Sequence, residues 1–364
     1  MRPPDAGVLV IAEAGVNHNG SVDRALAMID AAALAGADFV KFQTFRADEL
    51  ASRRAPKAVY QLAHTDPSQS QLEMLRQLQL SDADHELLFA HAARRNIGVL
   101  STPFDLPSLR LLTQRLDLQL VKVPSGEITN GPFLLEIART GRDVIVSTGM
   151  SSLAEVEAAL AVLAFGFTQP QSAGDPAAAA FAEAYASPAG HAALVKRVRL
   201  LHCTTEYPAP FAEVNLRAME TLAVSFGLPV GLSDHTPGTH VAVAAVARGA
   251  RVIEKHFTLD RALPGPDHAA SLEPTELGLM IRNIRDVETA LGDGIKRPSP
   301  SEAKNRAVAR KYLVASKRIA AGETFSRQNV GAKRAGSGIS PMEYWNVLGR
   351  VAPRDFEPDD PLVI

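Results

Sequence analysis

The segment 229-PVGLSDHTPGTHVAVAAVARGARVIEKHFTLD-260 predicts a strand, a helix and a second strand in succession. A short apolar run near each end stops in a polar cluster that contains a histidine, His235 in the first and His256 in the second. Residues 239–250, between the runs, carry small apolar side chains at helical spacing. The two strands of such a unit are parallel, so their carboxyl ends meet at one edge. The two imidazoles could therefore share a divalent metal there, or each could simply form hydrogen bonds at a strand end.

The same alternation of short apolar runs and amphipathic segments continues along most of the chain. Eight runs separated by helical patterns predict an α/β fold, a parallel sheet closed into a (β/α)8 barrel. An open, doubly wound sheet is the alternative, and it is disfavoured because no GxGxxG motif follows the first run. The predicted strands are 8–12, 38–42, 97–100, 118–123, 143–147, 198–203, 229–232 and 251–255.

Polar residues follow every one of these predicted strands. In a barrel the strand ends converge on the carboxyl-terminal mouth, where active sites are built. A capping or turn role would explain any single position, but it does not easily explain all eight, so we expect an active site at this mouth. The residues are Glu13, Asn17 and His18; Lys41 and Gln43; Ser101 and Thr102; Lys122, Ser125 and Glu127; Ser147 and Thr148; His202 and Tyr207; His235; and Glu254 and His256.

The ammonium and hydroxyl groups in this set indicate an anion site. Lys41 and Lys122 could bind a phosphate or carboxylate, or they could form strand-end salt bridges with Glu13 or Glu127. No P-loop motif is present, so binding of a nucleoside triphosphate by such a loop is not indicated. Cys203 could be a nucleophile, although a lone cysteine in a strand more often has a packing role.

The pattern changes after Gly292. We interpret residues 1–292 as the barrel domain, the polar and proline-containing residues 293–310 as a linker, and residues 311–364 as a small β-rich domain. A domain of this size has a small core, and we therefore expect it to pack against the barrel or against another subunit.

Two segments depart from the simple barrel repeat. Residues 44–80, which include Tyr60 and Gln61, are long for one loop and could form a lid or one wall of the site. Residues 168–192 are rich in Ala, Pro, Ser and Gly, and we interpret them as a flexible surface insertion without a chemical role.

Composition excludes several classes of protein. The 364 residues carry a net charge of −2 without a basic stripe, which gives no support to nucleic-acid binding. No run of 18 apolar residues occurs, so we expect no membrane span. A single cysteine and an amino terminus without a signal-peptide pattern favour a cytoplasmic enzyme.

Nine motifs in order resemble those of the sialic acid synthase family. They are 11-IAEAGVNHNGS-21, 37-ADFVKFQTF-45, 100-LSTPFD-105, 122-KVPSGEITN-130, 146-VSTGM-150, 201-LHCTTEYPAP-210, 231-GLSDHT-236, 253-IEKHFTLD-260 and 265-GPDHAAS-271. In addition, 319-IAAGE-323 and 333-KRAGSGISP-341 resemble the antifreeze-like (SAF) domain that completes the chain in this family. Enzymes of the family condense phosphoenolpyruvate with an N-acyl mannosamine-type sugar and release phosphate by C–O cleavage.

The resemblance also implies roles for individual residues. His235 and His256 would bind a divalent metal, Mn²⁺ or alternatively Mg²⁺ or Co²⁺, that activates the sugar aldehyde, and Glu13 would act as an acid or base. The implied partner is a second copy in a domain-swapped homodimer, whose Arg334 would reach the N-acyl group. The implied phosphoenolpyruvate contacts are Lys41, Thr102, Lys122, Ser125, Ser147, Ser233 and Tyr207, and the implied sugar contacts are Gln43, Glu127 and Asp267.

The acceptor sugar is less closely specified. Thr205 stands where relatives that form sialic acid often have Asn, so one phosphoenolpyruvate contact could be made differently. The segments 68–75 and 204–219 are more similar to the branch that makes N,N′-diacetyllegionaminate from 2,4-diacetamido-2,4,6-trideoxymannose than to the N-acetylneuraminate branch. Two other readings are a synthase that acts on a phosphorylated sugar, for which no extra basic cluster is seen, and a non-catalytic carbohydrate-binding protein.

Overall fold

The computed structural model describes residues 7–58, 61–62, 65–66, 68–169 and 176–364. These residues form two compact units, the first ending at Gly292 and the second beginning at Asp293. Residues 293–310, predicted as a linker, fall in the second unit and contain the exposed helix Pro300–Ala309. Tyr60 lies outside the described residues.

The first unit is built on an eight-stranded parallel sheet. The hydrogen-bonded order is β3-β2-β1-β8-β7-β6-β5-β4, and the two end strands of this order, β3 and β4, also lie against each other. The predicted (β/α)8 barrel is therefore confirmed. The strands are β1 (Leu9–Gly15), β2 (Phe39–Thr44), β3 (Gly98–Pro103), β4 (Leu120–Val123), β5 (Asp143–Ser147), β6 (Val198–Cys203), β7 (Val230–Asp234) and β8 (Val252–His256).

Helices with well-formed ends connect these strands. The first begins after Ser21, whose side chain accepts a hydrogen bond from the Arg24 N–H, and ends at Gly36 in the left-handed region, with φ 86°. No described helix is long and apolar enough to cross a membrane. The helices of this unit are α1 (Val22–Ala35), α2 (Ala47–Leu50), α3 (Gln71–Leu78), α4 (Asp82–Arg94), α5 (Leu106–Arg110), α6 (Gly131–Arg139), α7 (Leu153–Thr168), α8 (Ala178–Ala186), α9 (Pro188–Arg197), α10 (Ala218–Phe226), α11 (His240–Ala247) and α12 (Pro274–Leu291).

The segment 168–192, interpreted from the sequence as a flexible surface insertion, contains helices in the part that the structure describes. Most of the described residues belong to α8 and α9, and residues 170–175 lie outside the description. The Phe181 ring meets Phe165 of α7 edge to face, with ring centroids 5.3 Å apart. Alanine is the strongest helix former, so the composition that suggested a loop favours helices once an apolar surface is available for packing.

Side chains along the strands alternate between two apolar environments. Leu9 and Ile11 of β1 belong to a cluster inside the barrel, whereas Val10 and Ala12 belong to the larger cluster between the strands and the helices. The strand period of two therefore places Glu13, the next residue in phase, in the barrel interior at its carboxyl-terminal end. Strands β2, β4, β5 and β8 follow the same pattern. On each of them the interior side chain is apolar deep in the barrel and polar at the carboxyl-terminal mouth.

The second unit is small and rich in short antiparallel pairings. Strands β9 (Tyr312–Ala315) and β10 (Val330–Lys333) pair antiparallel, and single bridges such as Ile319 to Phe356 extend the pattern. Two helices, α13 (Pro300–Ala309) and α14 (Tyr344–Val347), complete it. Its core, as expected for its length, is small: Leu313, Ala315, Ile319, Phe325, Val330, Val347, Ala352, Phe356 and Leu362.

We predict that Gly231→Ala destabilises the barrel. A Cβ at this interior position of β7 would lie 2.1 Å from the Val252 carbonyl oxygen and 2.9 Å from Leu201 Cδ2, so neighbouring strands would have to move apart. The expected loss is about 1–3 kcal/mol in the free energy of unfolding, measured by urea denaturation. Gly131→Ala, at the first position of α6 with no atom within 4 Å of its Cβ, is the control and should not destabilise the protein. Equal stability of both variants would contradict the close packing of β7 and β8.

Candidate active site

Four charged side chains lie buried together at the mouth of the barrel. Lys41 Nζ is 2.6 Å from Glu13 Oε2 and 3.7 Å from Glu254 Oε2, and Lys122 Nζ is 3.2 Å from Glu254 Oε1. None of the four residues is more than 3% exposed. Two ammonium groups and two carboxylates compensate one another, as burial of charge requires.

The surroundings give the two carboxyl groups, those of Glu13 and Glu254, very different pKa values. Burial raises the pKa of Glu13 to about 7, although Lys41 opposes the shift. Burial acts in the same direction on Glu254, but Lys122 and Lys41 outweigh it and lower the pKa of this carboxyl to about 2. Near neutral pH, Glu13 can therefore exchange a proton while Glu254 remains ionised.

The two lysines also differ. Burial lowers the pKa of Lys122, and the Glu254 carboxylate offsets this only in part. For Lys41 the opposing effect is larger, because Glu13 and Glu254 together outweigh burial and raise its pKa. Lys41 also donates a hydrogen bond of 3.2 Å to Thr102 Oγ1.

His235 and His256 lie side by side, as their positions in the strand–helix–strand unit predict. Their ring centroids are 5.4 Å apart, and the Tyr207 ring lies 4.1 Å from that of His235 and 5.4 Å from that of His256. His235 Nδ1 is 2.7 Å from the Thr204 carbonyl oxygen, which accepts only if that nitrogen carries the proton. The lone pair of this imidazole is then on Nε2, the arrangement usual for a histidine that binds metal.

The residues present fit a divalent cation with an incomplete protein shell. Burial, with His235 and Lys41, holds the pKa of His256 well below its usual range, so this imidazole is neutral and able to ligate. Its Nδ1 is buried without a hydrogen-bond partner and is 3.8 Å from Asp267 Oδ2. Across the described residues no group of three or more His, Cys, Asp or Glu side chains is arranged to hold a metal. Two imidazoles would therefore leave further coordination positions to water or substrate oxygens.

Unused hydroxyl groups line the same mouth. The oxygens Ser147 Oγ and Thr205 Oγ1 are buried and have no hydrogen-bond partner among the described residues. Ser125 Oγ accepts a hydrogen bond of 3.0 Å from the Gly149 N–H, and a Cβ at Gly149 would lie 2.2 Å from Thr205 Oγ1 and 2.6 Å from Ser125 Oγ. Buried polar atoms normally have a hydrogen-bond partner, so Ser147 Oγ and Thr205 Oγ1 are available to bind a polar ligand.

Three further predicted site residues have different surroundings. Gln43 lies in the mouth, because its Nε2 borders the same space as Glu13 Oε1 and His256 Cε1: all three atoms lie within 4 Å of the position that a Cβ would occupy at Gly15. Glu127 is only half-buried, and its Oε2 accepts a hydrogen bond of 2.7 Å from Asn130. Arg334 is exposed in the second unit, directly after β10.

Glu254 was identified from the sequence only as a polar residue at a strand end, without a role. Lys122 pairs with this residue, not with the Glu13 or Glu127 considered from the sequence. Glu254 also accepts a hydrogen bond of 2.8 Å from Ser233 Oγ. A signal was available, because Glu254 is two residues from both Val252 and His256 and therefore shares their interior phase.

Cys203 is the other residue whose position only the structure reveals. Its Sγ lies 3.7 Å from His235 Nδ1, in phase with the interior residue Leu201. This thiol and the Thr204 carbonyl raise the pKa of His235 against the opposing effect of burial, so any cation would compete with a proton there.

Comparison with known proteins agrees with this architecture. The model of the NeuB family matches residues 28–296, and that of the SAF domain matches residues 310–363. The chain is 49% identical to N,N′-diacetyllegionaminic acid synthase of Campylobacter jejuni, over 97% of this chain and 98% of that protein. It is 43% identical to the enzyme of the same name from Legionella pneumophila, over 93% and 89%.

A solved structure is also similar. The crystal structure of N-acetylneuraminic acid synthetase from Leptospira borgpetersenii superposes with a TM-score of 0.65 at 31% identity, covering 82% of this chain and 90% of that one. The prediction of a synthase enzyme with a carboxyl-terminal SAF domain is confirmed by these matches. The chain belongs to the NeuB family.

Proposed function

We propose that this enzyme condenses phosphoenolpyruvate with 2,4-diacetamido-2,4,6-trideoxymannose to give N,N′-diacetyllegionaminate and phosphate. The observation that carries the proposal is the mouth itself, where two buried ammonium groups lie beside two imidazoles. The choice of acceptor is supported by full-length similarity to two enzymes named for the legionaminic acid product. N-Acetylmannosamine is the second candidate, supported by the likeness to the Leptospira synthetase.

Phosphoenolpyruvate would bind through its anionic groups. Lys41 and Lys122 supply charge, and the Ser147 hydroxyl is a buried donor without a partner. Charge-assisted hydrogen bonds of this kind are about twice as strong as neutral ones. Thr102, Ser125, Ser233 and Tyr207 complete the proposed contacts, and Thr205 would supply the contact that Asn makes in relatives.

The reaction joins C3 of phosphoenolpyruvate to the aldehyde carbon of the sugar. The aldehyde oxygen gains a proton, a water oxygen adds to C2, and the C2–O bond breaks to release phosphate. Glu13 would hold or move the proton at these carbons, because its carboxyl is buried beside Lys41 with a pKa near neutrality.

His235 and His256 would hold a divalent cation, Mn²⁺ in the first instance and Mg²⁺ or Co²⁺ as alternatives. Such a cation, when bound, polarises a carbonyl oxygen and stabilises negative charge that develops on it. Two features of the chain prepare these ligands. The Thr204 carbonyl accepts from Nδ1 of His235 and so leaves the lone pair on Nε2, and burial keeps His256 neutral.

The sugar would contact Gln43, Glu127 and Asp267. Burial raises the pKa of Asp267 to about 6, so this carboxyl can donate to or accept from a hydroxyl. Arg334 of a second copy would reach the N-acyl group in a domain-swapped homodimer. A cytoplasmic location completes the proposal and is consistent with the free, buried Cys203 thiol.

The acceptor is tested by measuring phosphate release from phosphoenolpyruvate with three sugars. We expect the diacetamido-trideoxy sugar to have the highest kcat/KM, N-acetylmannosamine to follow, and N-acetylmannosamine 6-phosphate to be the poorest, because the sequence motifs contain no further basic cluster for a second phosphate. Omission of phosphoenolpyruvate is the control. The highest kcat/KM with the 6-phosphate would refute the proposed acceptor, and no release with any sugar would refute the reaction.

The metal proposal is tested by His235→Ala and His256→Ala. Each should bind Mn²⁺ much more weakly in calorimetry and should lower condensation by on the order of a hundredfold, because each removes one of only two protein ligands. Chelation should abolish wild-type turnover and added Mn²⁺ should restore it. His91→Gln is the control, because this partly buried histidine of α4 pairs with Asp30 of α1 and has no role in the proposed site. Full turnover by metal-free protein would refute the proposal.

The role of Arg334 is tested with mixed dimers. Arg334→Ala should raise the KM for the sugar and leave that for phosphoenolpyruvate close to the wild-type value. Co-expression of Arg334→Ala with His235→Ala should restore up to about one quarter of all sites if Arg334 serves the neighbouring barrel, since half of the dimers would then contain one complete site. The comparison is made at a sugar concentration well below the KM of Arg334→Ala. Mixed dimers that are then no more active than the Arg334→Ala homodimer would show that Arg334 does not act across the dimer.

A further inference from the structure

Glu254 contacts more of the site than any role considered so far explains. Its Oε1 lies 2.8 Å from Ser233 Oγ and 3.2 Å from Lys122 Nζ, and its Oε2 lies 3.7 Å from Lys41 Nζ. The residue is 3% exposed and projects into the barrel between Val252 and His256. One carboxylate therefore lies within ion-pair distance of both ammonium groups.

This carboxylate determines how the two lysines can coexist. Buried ammonium groups repel each other, and a carboxylate that they share, or one for each, is needed to offset this repulsion and the cost of burial. Glu13 pairs with Lys41, but among the described residues Glu254 is the only carboxylate within ion-pair distance of Lys122. Without it, Lys122 would be a buried charge without compensation, free to turn away or to lose its proton.

Glu254 also affects the hydrogen bonding of His235, through Ser233. The single hydroxyl proton of Ser233 is donated to the Glu254 carboxylate, so it cannot be donated to His235 Nε2, which lies 3.4 Å from the same oxygen. Since His235 Nδ1 donates to the Thr204 carbonyl, the Nε2 lone pair stays available.

We propose that Glu254 is a positioning residue that fixes the Lys41 and Lys122 ammonium groups for an anionic ligand and, through Ser233, leaves His235 Nε2 free to bind. The proposal rests on the proposed function in that phosphoenolpyruvate is taken as the anion. It assigns Glu254 no contact with the reacting atoms.

If Glu254 acted only through its negative charge, its removal would change the affinity for anions in the opposite direction from loss of a positioning group. A carboxylate beside an anion site repels the anion, so its removal would strengthen binding if nothing else changed. Loss of a positioning group weakens binding instead, because the ammonium groups no longer hold a common geometry. The direction of the change in affinity therefore separates the two roles.

The test compares Glu254→Gln and Glu254→Asp with the wild-type enzyme. Calorimetric titrations with phosphoenolpyruvate and with inorganic phosphate are made without sugar, and KM is measured for both substrates. We expect both variants to bind the two anions about tenfold more weakly or worse, because glutamine lacks the charge and the shorter aspartate cannot reach Lys122 and Ser233 together. With Mn²⁺ at a saturating concentration, the KM for the sugar should stay close to the wild-type value. We also expect Glu254→Gln to bind Mn²⁺ more weakly, since Ser233 would be free to donate to His235.

Asp38→Asn is the matched control for loss of an ion-paired carboxylate, because the Asp38 side chain is only 10% exposed. Asp38 Oδ2 is 2.7 Å from Arg285 and accepts from the Val10 N–H at the opposite end of the barrel. This variant should unfold at lower urea concentration than wild type and bind both anions with unchanged affinity.

Each other outcome is decisive. Unchanged or tighter anion binding by folded Glu254→Gln, or full recovery in Glu254→Asp, would overturn the proposal. So would failure of both variants to fold while Asp38→Asn folds, because Glu254 would then be needed for the barrel itself. Wild-type protein that binds phosphate but consumes no phosphoenolpyruvate would refute the proposed reaction, and the phosphate titrations would still test Glu254. Wild-type protein that binds neither anion would overturn both.

Discussion

The site depends on one constraint: four buried charges must compensate one another inside the barrel. Lys122 on β4 and Glu254 on β8 are four strands apart in either direction around the sheet, so they can meet only across the closed interior. An open sheet would leave Lys122 without a carboxylate, and a buried ammonium group without a partner costs several kcal/mol. Closure of the barrel and assembly of the mouth are therefore the same event.

The strand period of two explains why the interior is apolar at the floor and polar at the mouth. Leu120 and Lys122, or Val252, Glu254 and His256, are successive interior residues of one strand. This much could be predicted from the sequence, because short apolar runs ending in polar residues mark both the strands and their direction. The histidine pair was predictable for the same reason, since β7 and β8 are neighbours along the chain and in the sheet.

Contacts across the barrel could not be predicted in this way. Lys122 and Glu254 are 132 residues apart, and neither spacing nor composition tells which interior side chains are long enough to meet. From the sequence, Glu13 and Glu127 were therefore the carboxylates considered for the two lysines, and Glu254 was not. The helices α8 and α9 were missed for a related reason: an alanine-rich segment becomes helical only when another surface, here α7 with Phe165, covers its apolar face.

Burial alone does not make a functional group. Asp234 and Lys255 form another buried ion pair, 2.9 Å apart on β7 and β8, but they are out of phase with Ser233 and Glu254 and face away from the interior. The Asp234 carboxylate also accepts two bonds from Thr236, so the pair is self-contained. At the mouth, by contrast, Ser147 and Thr205 keep unsatisfied oxygens. Compensated charge beside unsatisfied donors distinguishes a site that can receive a ligand from one that only stabilises the fold.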